Sequence, residues 1–403
     1  MTQRNLVNSD HLDYLCEDIS IENTDMTIVH IYAEYPDYKW VDDLDEGTSC
    51  VDDVSRAAVF YLKDYKYNKN RLSLDRAINL LEFIIYMQSE SGYFYNFIFP
   101  DHSINKDHKN SVNQPSWWTW RALWAMTEAY SIIEYIDNQL AERYMSTINK
   151  TIDAVKDYLT LEKKIETIRG FEIPAWLPYK YASDQAALLT ICLSNYYNIS
   201  NDTGILKHIN LLADGIQLMQ IDDSTSKFYG AMLSWKNVWH AWGNLQSYAL
   251  LRAFQVTNNS SYLESALEEI NNYYQHLYRI KYLNEFYVNK ENNKIFETNI
   301  KIYSQIAYGI RPMVFAALEA YSITNEEKYA RYAANYTSWF FGDNHHKEQI
   351  YFPDTGICFD GLNDRSLNRN SGAESTIEAL LLLQEIDQNK ITRSHLNEID
   401  NER

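Results

Sequence analysis

Two adjacent aspartates near residue 50 are the first side chains in this sequence whose type and spacing could do chemistry. Asp52 and Asp53 lie in the segment CVDDVSRAAVF, where Arg56 follows one helical turn later and an apolar run comes next. Four more acids stand just upstream, at Asp42, Asp43, Asp45 and Glu46. Because like charges repel, this many carboxylates at the start of a helix that enters a core indicates a functional site.

Separated carboxylates can act as acid and base on the two sides of one bond. Glycoside hydrolysis uses such a pair: one carboxyl group protonates the leaving oxygen, and the other serves as base or nucleophile. The candidate catalytic residues are Asp52, Asp53, Asp184 and Glu374. The structural alternative for the aspartates is capping of a helix N-terminus, where the helix dipole stabilises negative charge. For Glu374 the alternative is a capping box with Ser371, three residues before it.

The two neighbouring aspartates cannot both point the same way. Successive residues of a helix project about 100° apart, so only one of them can face a common axis. We prefer Asp53 as the active group and expect Asp52 to hold Arg56, which stands four residues further on.

Aromatic and basic side chains near the other helix starts are candidates for binding a sugar. The chain holds 33 Tyr, 10 Trp and 15 Phe, and such rings suit a cleft that is apolar on one face and hydrogen-bonding on the other. A compositional habit of the source organism is the alternative explanation, above all for the tyrosines. The candidate substrate-binding residues are Trp118, Trp120, Arg121, Trp235, Trp239, His240, Trp242, Tyr308 and Arg311.

Two of these candidates carry alternative roles. We expect Arg121 to hold a carboxylate rather than to take part in chemistry. A histidine between tryptophans, such as His240, is more often a buried residue with satisfied hydrogen bonds than a base, although an epimerase would need it as one.

A repeat of helix pairs organises the chain. Apolar residues recur with a 3.6-residue period from about residue 50 almost to the end. Helices begin near Cys50, Pro115, Tyr181, Asn237, Ile302 and Ser371, roughly 60 residues apart, and each of the first five is followed after a short polar break by a more polar helix. The count is eleven helices, with the N-terminal segment as the candidate for the twelfth. The pattern predicts an all-α fold, an (α/α)6 toroid of six helical hairpins with long loops on one face. The polar residues at the inner-helix starts would then converge on one mouth.

Three segments follow from this repeat. We expect residues 1–48 to form an irregular N-terminal segment packed on the barrel, residues 49–390 to form the barrel domain, and residues 391–403 to be a frayed polar tail.

Composition excludes several classes of partner. A net charge of −19 would repel nucleic acid and anionic membranes, and no apolar run is long enough to span a bilayer. The four cysteines are widely spaced without a CxxC motif, so we expect no metal, no other cofactor and no disulfide framework. The N-terminus has no apolar signal-peptide segment, from which we expect a cytoplasmic protein.

The chain resembles the six-hairpin glycosidase superfamily over roughly residues 50–390. CVDDVSRAAVF is similar to a paired-Asp, Ala-Arg signature of bacterial barrel domains, and NSGAESTIEALLLL looks like their closing helix. By analogy with the inverting cellulases of this class, the resemblance implies a base at Asp52 or Asp53 and an acid at Glu374. The chain departs from them in lacking an Asp-Ala-Gly-Asp cluster and an Asn directly before Glu374. Analogy with unsaturated-glucuronyl hydrolases would promote Asp184 instead.

These observations predict a glycoside hydrolase that acts on an oligo- or polysaccharide by carboxylate acid/base catalysis with inversion. The first alternative is a sugar epimerase or isomerase of the same barrel class, which would need His240 and a second base. The second alternative is a non-catalytic glycan-binding protein, in which every acid at the helix starts is in an ion pair and no cleft is open.

Overall fold

A computed structural model describes residues 5–292 and 294–401, and this part of the chain is mainly helical. The α-helices are α1 (Asp10–Leu15), α2 (Val51–Asn68), α3 (Arg71–Tyr86), α4 (Trp117–Ile133), α5 (Asn138–Tyr158), α6 (Ser183–Ser200), α7 (Leu206–Leu218), α8 (Gln246–Thr257), α9 (Ser260–Asn271), α10 (Tyr273–Arg279), α11 (Ala307–Thr324), α12 (Glu327–Thr337), α13 (Ala373–Gln388) and α14 (Lys390–Asn401). Short 3-10 helices occupy Thr203–Ile205 and Ser338–Phe341. The predicted helical class is confirmed, and the closed toroid stays a prediction.

The strands are short and pair mostly as local hairpins. They are β1 (Cys16–Ile21), β2 (Thr24–Val29), β3 (Tyr32–Glu34), β4 (Lys39–Val41), β5 (Ser49–Cys50), β6 (Phe97–Ile98), β7 (Ile165–Ile168), β8 (Phe171–Pro174), β9 (Val238–His240), β10 (Glu285–Glu291), β11 (Lys294–Lys301), β12 (Tyr351–Phe352), β13 (Ile357–Cys358), β14 (Gly361–Leu362) and β15 (Leu367–Asn368).

Four helix pairs share one kind of connection, which explains the short polar breaks in the sequence. The first helix of each pair ends at a residue in the left-handed conformation, with φ between 54° and 57°; these residues are Lys69, Asn201, Asn258 and Asn325. Each of them donates its N–H to a carbonyl of the last turn, which satisfies a group that the helix would otherwise leave unpaired. The residue that follows is the N-cap of the next helical segment, so the chain reverses within a few residues.

The chain forms two compact units. The first comprises residues 5–158, 352–360 and 369–384. Here α2 packs on α3 and α4, α4 packs on α5, and β2 lies against α3. Every residue of α2 from Asp53 to Leu62 is buried, so this helix is internal rather than amphipathic. Any charge on it therefore needs a partner inside the protein.

The second unit comprises residues 159–292, 294–351, 361–368 and 385–401. Its internal helices are α6, buried from Ser183 to Tyr196, and α11, buried from Ala307 to Ala317. Helix α8 packs on both of them, and α7, α9 and α12 cover their outer sides. The expected alternation of internal and outer helices is present in these pairs, and the predicted boundaries at residues 48 and 390 stay a prediction.

The prediction that an inner helix begins near Asn237 is wrong. Residues 238–240 form β9, which pairs with β10 in a three-stranded sheet, and α8 begins only at Gln246. The apolar residues of this segment have helical spacing, but pairing with β10 decides its structure. Trp239 lies opposite Phe286 in the sheet, and their rings stack with centroids 5.3 Å apart. Consequently Trp239 and His240 project from a strand rather than from a helix.

Three stretches expected to be irregular are ordered. The N-terminal segment forms α1 and the hairpins β1–β2 and β3–β4, and the loop after residue 284 forms the hairpin β10–β11. The polar tail is the helix α14, which is polar overall but buries one face through Thr392, Arg393, His395 and Leu396. None of the described helices is both long and apolar enough to cross a membrane.

Candidate active site

The start of α2 positions the two aspartates. Cys50 is the N-cap residue, and its sulfur accepts a hydrogen bond from the N–H of Asp53 at 3.4 Å. The Cys50 thiol donates in return to Oδ2 of Asp53 at 3.2 Å. Asp52 and Asp53 therefore occupy the first turn without capping the helix themselves, and their carboxylates are available for other contacts.

Arg56 lies at the centre of a group of carboxylates. One of its terminal nitrogens contacts Asp52 and lies 3.1 Å from Oδ1 of Asp53. Its other terminal nitrogen donates to Glu374 and to Glu378, each at 3.1 Å. The predicted i,i+4 contact between Asp52 and Arg56 is present, and Asp53 shares the same guanidinium.

A second arginine joins this group from α4. Nε of Arg121 lies 3.4 Å from Oδ1 of Asp52, so Arg121 stands against a carboxylate as expected. We name these six side chains the acid cluster: Asp52, Asp53, Arg56, Arg121, Glu374 and Glu378. Four carboxylates face two guanidinium groups, which leaves the cluster two negative charges in excess if every acid is ionised. Excess negative charge in a buried setting favours retention of a proton.

The members of the acid cluster differ in exposure. The side chains of Glu378 and Asp53 are 0% and 5% exposed, whereas those of Asp52 and Glu374 are 20% and 42% exposed. Burial raises the pKa of Asp53, against the effect of Arg56. Asp52 and Glu374 are thus the carboxylates of the cluster that a bound molecule could reach.

Glu374 occupies the first turn of α13, but it does not form the capping box that its spacing with Ser371 suggests. Its carboxylate points to Arg56, and the N–H of Ser371 instead donates to the carbonyl of Ala33. Asp360 takes the capping role, since its Oδ1 accepts from the N–H of Gly372 at 2.9 Å. The carboxyl group of Glu374 is therefore free of the helix end.

The pKa of Glu374 is raised to about 7. Burial by the surrounding protein is the largest cause, and the neighbouring carboxylates of Asp53, Glu378 and Asp52 act in the same direction, while Arg56 opposes them. Near neutral pH a substantial fraction of this carboxyl group carries its proton, which is the state that a general acid needs.

The tryptophans of α4 are close in sequence to Arg121 of the acid cluster, but their side chains are buried in the core. Trp120 is fully buried, with its ring 6.3 Å from that of Tyr158. Trp118 is 6% exposed and donates its indole N–H to the carbonyl of Phe94 at 2.8 Å. Their positions are those of packing residues.

Asp184 and His240 form a separate group in the second unit. Oδ2 of Asp184, at the start of α6, lies 3.0 Å from Nε2 of His240, and its Oδ1 accepts from the N–H of Gln185. Nδ1 of His240 donates to the carbonyl of Trp242 at 2.7 Å, and the two rings stack with centroids 3.7 Å apart. We call Asp184 and His240 the histidine pair; they are 4% and 5% exposed.

The other predicted binding residues of the second unit divide into exposed and buried side chains. Trp235 and Trp242 are 38% and 40% exposed, and the ammonium group of Lys236 lies 3.8 Å from the ring centre of Trp235. Trp239, Tyr308 and Arg311 are buried, with Arg311 5.0 Å from the ring of Phe315.

Comparison with solved structures gives matches over nearly the whole chain. Cellobiose 2-epimerase from Bacillus thermoamylovorans has a TM-score of 0.65 at 15% identity, covering 94% of this chain and 95% of that one. A family 76 glycoside hydrolase from a bovine Bacteroides thetaiotaomicron strain has a TM-score of 0.59 at 14% identity, covering 92% and 74%. D-mannose isomerase has a TM-score of 0.59 at 12% identity, covering 91% of both chains. No protein-family model and no curated protein matches the sequence.

The resemblance holds at the level of the fold, which these solved structures share with the chain. Because the matching structures include both epimerases or isomerases and glycoside hydrolases, the chemistry has to come from the side chains of this chain.

One residue of the acid cluster, Glu378, and the helix-capping residue Cys50 beside it are absent from the sequence prediction. Glu378 stands four residues after Glu374, a spacing that places both on one face of α13 and could have revealed it. Cys50 gave no signal, because a thiol rarely caps a helix. Among residues 5–292 and 294–401, no three His, Cys, Asp or Glu side chains are arranged to hold a metal ion.

The predicted catalytic carboxylates all lie in ion pairs. Asp52, Asp53 and Glu374 contact Arg56, and Asp184 contacts His240. This is the first condition of the non-catalytic alternative. What separates Glu374 from a purely structural acid is that its side chain is 42% exposed and the pKa of its carboxyl group is raised to about 7.

Proposed function

We propose that this protein is a glycoside hydrolase that acts on an oligo- or polysaccharide, with Glu374 as the general acid and Asp52 as the second carboxylate. The observation that carries the proposal is that the Glu374 side chain is 42% exposed while its carboxyl group, with a pKa of about 7, is held on the same guanidinium as the partly exposed Asp52. One protonated and one paired carboxylate is the combination that hydrolysis of an acetal requires.

In the proposed reaction, Glu374 gives its proton to the leaving glycosidic oxygen as the bond to the anomeric carbon breaks. Asp52 removes a proton from a water molecule, whose oxygen forms the new bond to that carbon. Arg56 and Arg121 hold Asp52 in place and stabilise its charge. Asp53 is almost fully buried, so in this proposal it positions Arg56 and, by its charge, raises the pKa of Glu374. This assignment moves the active role from Asp53 to Asp52.

Inversion at the anomeric carbon is part of the proposal, since attack by water in one step leaves the product with the opposite configuration. Proton NMR of the first product anomer, recorded before mutarotation, distinguishes inversion from retention. The (α/α)6 toroid of six helical hairpins is likewise part of the proposal.

A hydrolysis screen tests the proposal. Wild type, Glu374→Gln and Asp52→Asn are assayed for reducing-sugar release on a panel of neutral oligosaccharides, with Glu142→Gln on the exposed face of α5 as control. We expect a loss of about 10²–10⁴-fold in kcat for Glu374→Gln and Asp52→Asn and none for the control. Equal activity in all four proteins, or no hydrolysis of any substrate by the wild type, would overturn the proposal.

A sugar epimerase or isomerase is the second candidate, and the histidine pair favours it. His240 contacts Asp184 through Nε2 and so could accept or return a proton. Both of its ring nitrogens are already engaged and its side chain is 6% exposed, which is why we place this candidate second. Epimerisation or isomerisation by proton transfer at carbon would incorporate deuterium from D₂O into recovered sugar, whereas hydrolysis would not.

A further inference from the structure

Six aromatic rings in the N-terminal part of the first unit contact one another in succession. The ring centroids are 3.7 Å apart for the first pair and then 5.5, 6.0, 5.5 and 6.1 Å for the next four pairs. We call this feature the aromatic row; its members in order are His30, Trp40, Tyr14, His11, Tyr38 and Tyr35.

The larger rings of the row face solvent. Tyr14, Trp40 and Tyr35 are 46%, 39% and 48% exposed. They are supplied by α1 and by the β3–β4 hairpin, in which Trp40 pairs with Ala33. A monomeric protein rarely leaves contiguous aromatic surface uncovered, so such a patch marks a site that binds something.

The aromatic row is fixed to the chain segment that leads into Glu374. His11 donates from Nε2 to the carbonyl of Ser371 at 2.9 Å, and the N–H of Tyr35 donates to Oδ1 of Asn370 at 3.1 Å. The N–H of Ala373, the residue before Glu374, donates to the carbonyl of Ile31 at 2.9 Å. The row and the general acid of the proposed reaction are therefore built on one rigid junction.

We propose that the aromatic row binds the chain of a neutral glycan whose reacting bond lies at the acid cluster; this inference rests on the proposed function and adds where the rest of the sugar chain is held. The flat face of a pyranose ring carries C–H groups that stack on an aromatic ring, while its hydroxyl rim needs hydrogen-bonding neighbours. The exposed side chains of Trp40, Tyr14 and Tyr35 supply both, as aromatic rings that carry an indole N–H and two phenol hydroxyl groups.

The charges around the row favour a neutral sugar chain over other occupants. The guanidinium of Arg369 lies 5.7 Å from the ring centre of Tyr35, and Lys39 and Asp37 form an exposed ion pair at 3.9 Å on the same hairpin. A purely apolar partner would have to desolvate these groups. An anionic glycan would meet the net negative charge of the acid cluster and of the chain.

Direct binding tests this inference without relying on catalysis. The full-length protein carrying Glu374→Gln is applied to an array of neutral oligosaccharides, and the bound hexasaccharides are measured by titration calorimetry beside their monosaccharides. In the same background we compare Trp40→Ala and Tyr14→Ala with a control, Tyr135→Ala, which removes an 83% exposed ring outside the row. Circular dichroism and thermal melting show whether each variant is folded.

We expect hexasaccharides to bind and monosaccharides to bind much more weakly. Each row variant should weaken hexasaccharide binding by about tenfold or more, as truncation of an aromatic anchor commonly does, and Tyr135→Ala should not. No binding on the array, or equal affinity in row variants and control, would overturn the inference. A concentration-dependent dimer that Trp40→Ala abolishes, without glycan binding, would assign the row to a protein partner instead. If hexasaccharides bind through the row but the wild type hydrolyses none of them, the proposed function fails and the glycan site stands.

Discussion

The acid cluster of the first unit and the histidine pair of the second both place carboxylates at the start of a buried helix, yet they balance charge differently. In the acid cluster four carboxylates share two guanidinium groups, and two of the carboxylates reach solvent. In the histidine pair one acid meets one base, and both are buried with their hydrogen bonds made. Excess acid leaves a proton that can be given away, whereas the carboxylate and the imidazole of the histidine pair are hydrogen-bond partners of each other.

A comparison of Glu374 with Glu269 shows that a raised pKa alone does not identify a functional site. The pKa values of Glu374 and of Glu269 are both raised to about 7, chiefly by burial. Glu269, on α9, is 0% exposed, and it accepts hydrogen bonds from the Ser247 hydroxyl at 2.7 Å and from the N–H of Met232 at 2.8 Å. The buried carboxyl group of Glu269 therefore links a loop and helix α8 to helix α9. Of these two glutamates, only Glu374 has a partly exposed side chain that a substrate could reach.

The largest expected effect is a contrast in activity between the two regions. Glu374→Gln should lower hydrolysis by about 10²–10⁴-fold, while His240→Gln should lower it by less than about tenfold, because only the first variant removes the proton donor. Both are measured as kcat on the best substrate of the oligosaccharide panel. If His240→Gln lowers kcat more than Glu374→Gln does, the proposed difference between the two regions is wrong. Deuterium incorporation that requires His240 would then favour the epimerase.

The next effect concerns stability in the acid cluster. Arg56→Met leaves four carboxylates with one remaining arginine, so we expect the free energy of unfolding to fall by about 3–5 kcal/mol, as when one partner of a buried ion pair is removed. Arg76→Met is the matched control, because Arg76 contacts the 65% exposed Asp18 on the surface, and it should cost no more than about 1 kcal/mol. Urea unfolding measures both. Similar losses in the two variants would mean that the acids simply take up protons when Arg56 is absent.

Glu269 gives a pH-dependent prediction for the second unit. Its pKa is about 7 in the fold and 4.5 as the reference value, so the folded protein holds this proton more tightly than the unfolded chain does. The contribution to stability is complete below pH 4.5, falls as the pH rises towards 7, and is lost above it.

Glu269→Gln should remove this pH dependence, which amounts to about 3 kcal/mol for a shift of this size. Urea unfolding of wild type and variant at several pH values between 5 and 9 measures the difference, and kcat should change little. A difference in stability that does not vary with pH would contradict the raised pKa.

Only those contacts of the acid cluster that join residues close together in the sequence could be predicted. Asp52, Asp53 and Arg56 lie within one helical turn, and their spacing indicates their contacts directly. The contact of Arg56 with Glu374 spans 318 residues of chain, and it was anticipated only through the repeat of helix starts. Which aspartate is exposed depends on the packing around α2, and because Asp52 is the more exposed one, the proposal gives it the role that the sequence favoured for Asp53.

Other features could not be predicted because non-local contacts decide them. His240 belongs to a strand because β10, some forty-five residues later in the sequence, pairs with it. The aromatic row depends on how α1 and the β3–β4 hairpin meet residues 370–371, for which the local sequence carries no signal. In both cases the residue types were visible in the sequence, but their neighbours were not.

The smallest effect tests the electrostatics inside the acid cluster. If Glu374 is the general acid, kcat should decline as the pH rises through about 7, where Glu374 loses its proton. The carboxylate of Asp53 contributes to raising that pKa, so Asp53→Asn should lower it and move the decline to lower pH, by up to about one unit. Asp75→Asn, at an exposed position of α3 where the carboxylate contacts Arg71, is the control and should leave the profile in place. A shift to higher pH in Asp53→Asn would contradict this account, because the loss of a neighbouring negative charge and the release of Arg56 to hold Glu374 ionised should both move the decline to lower pH.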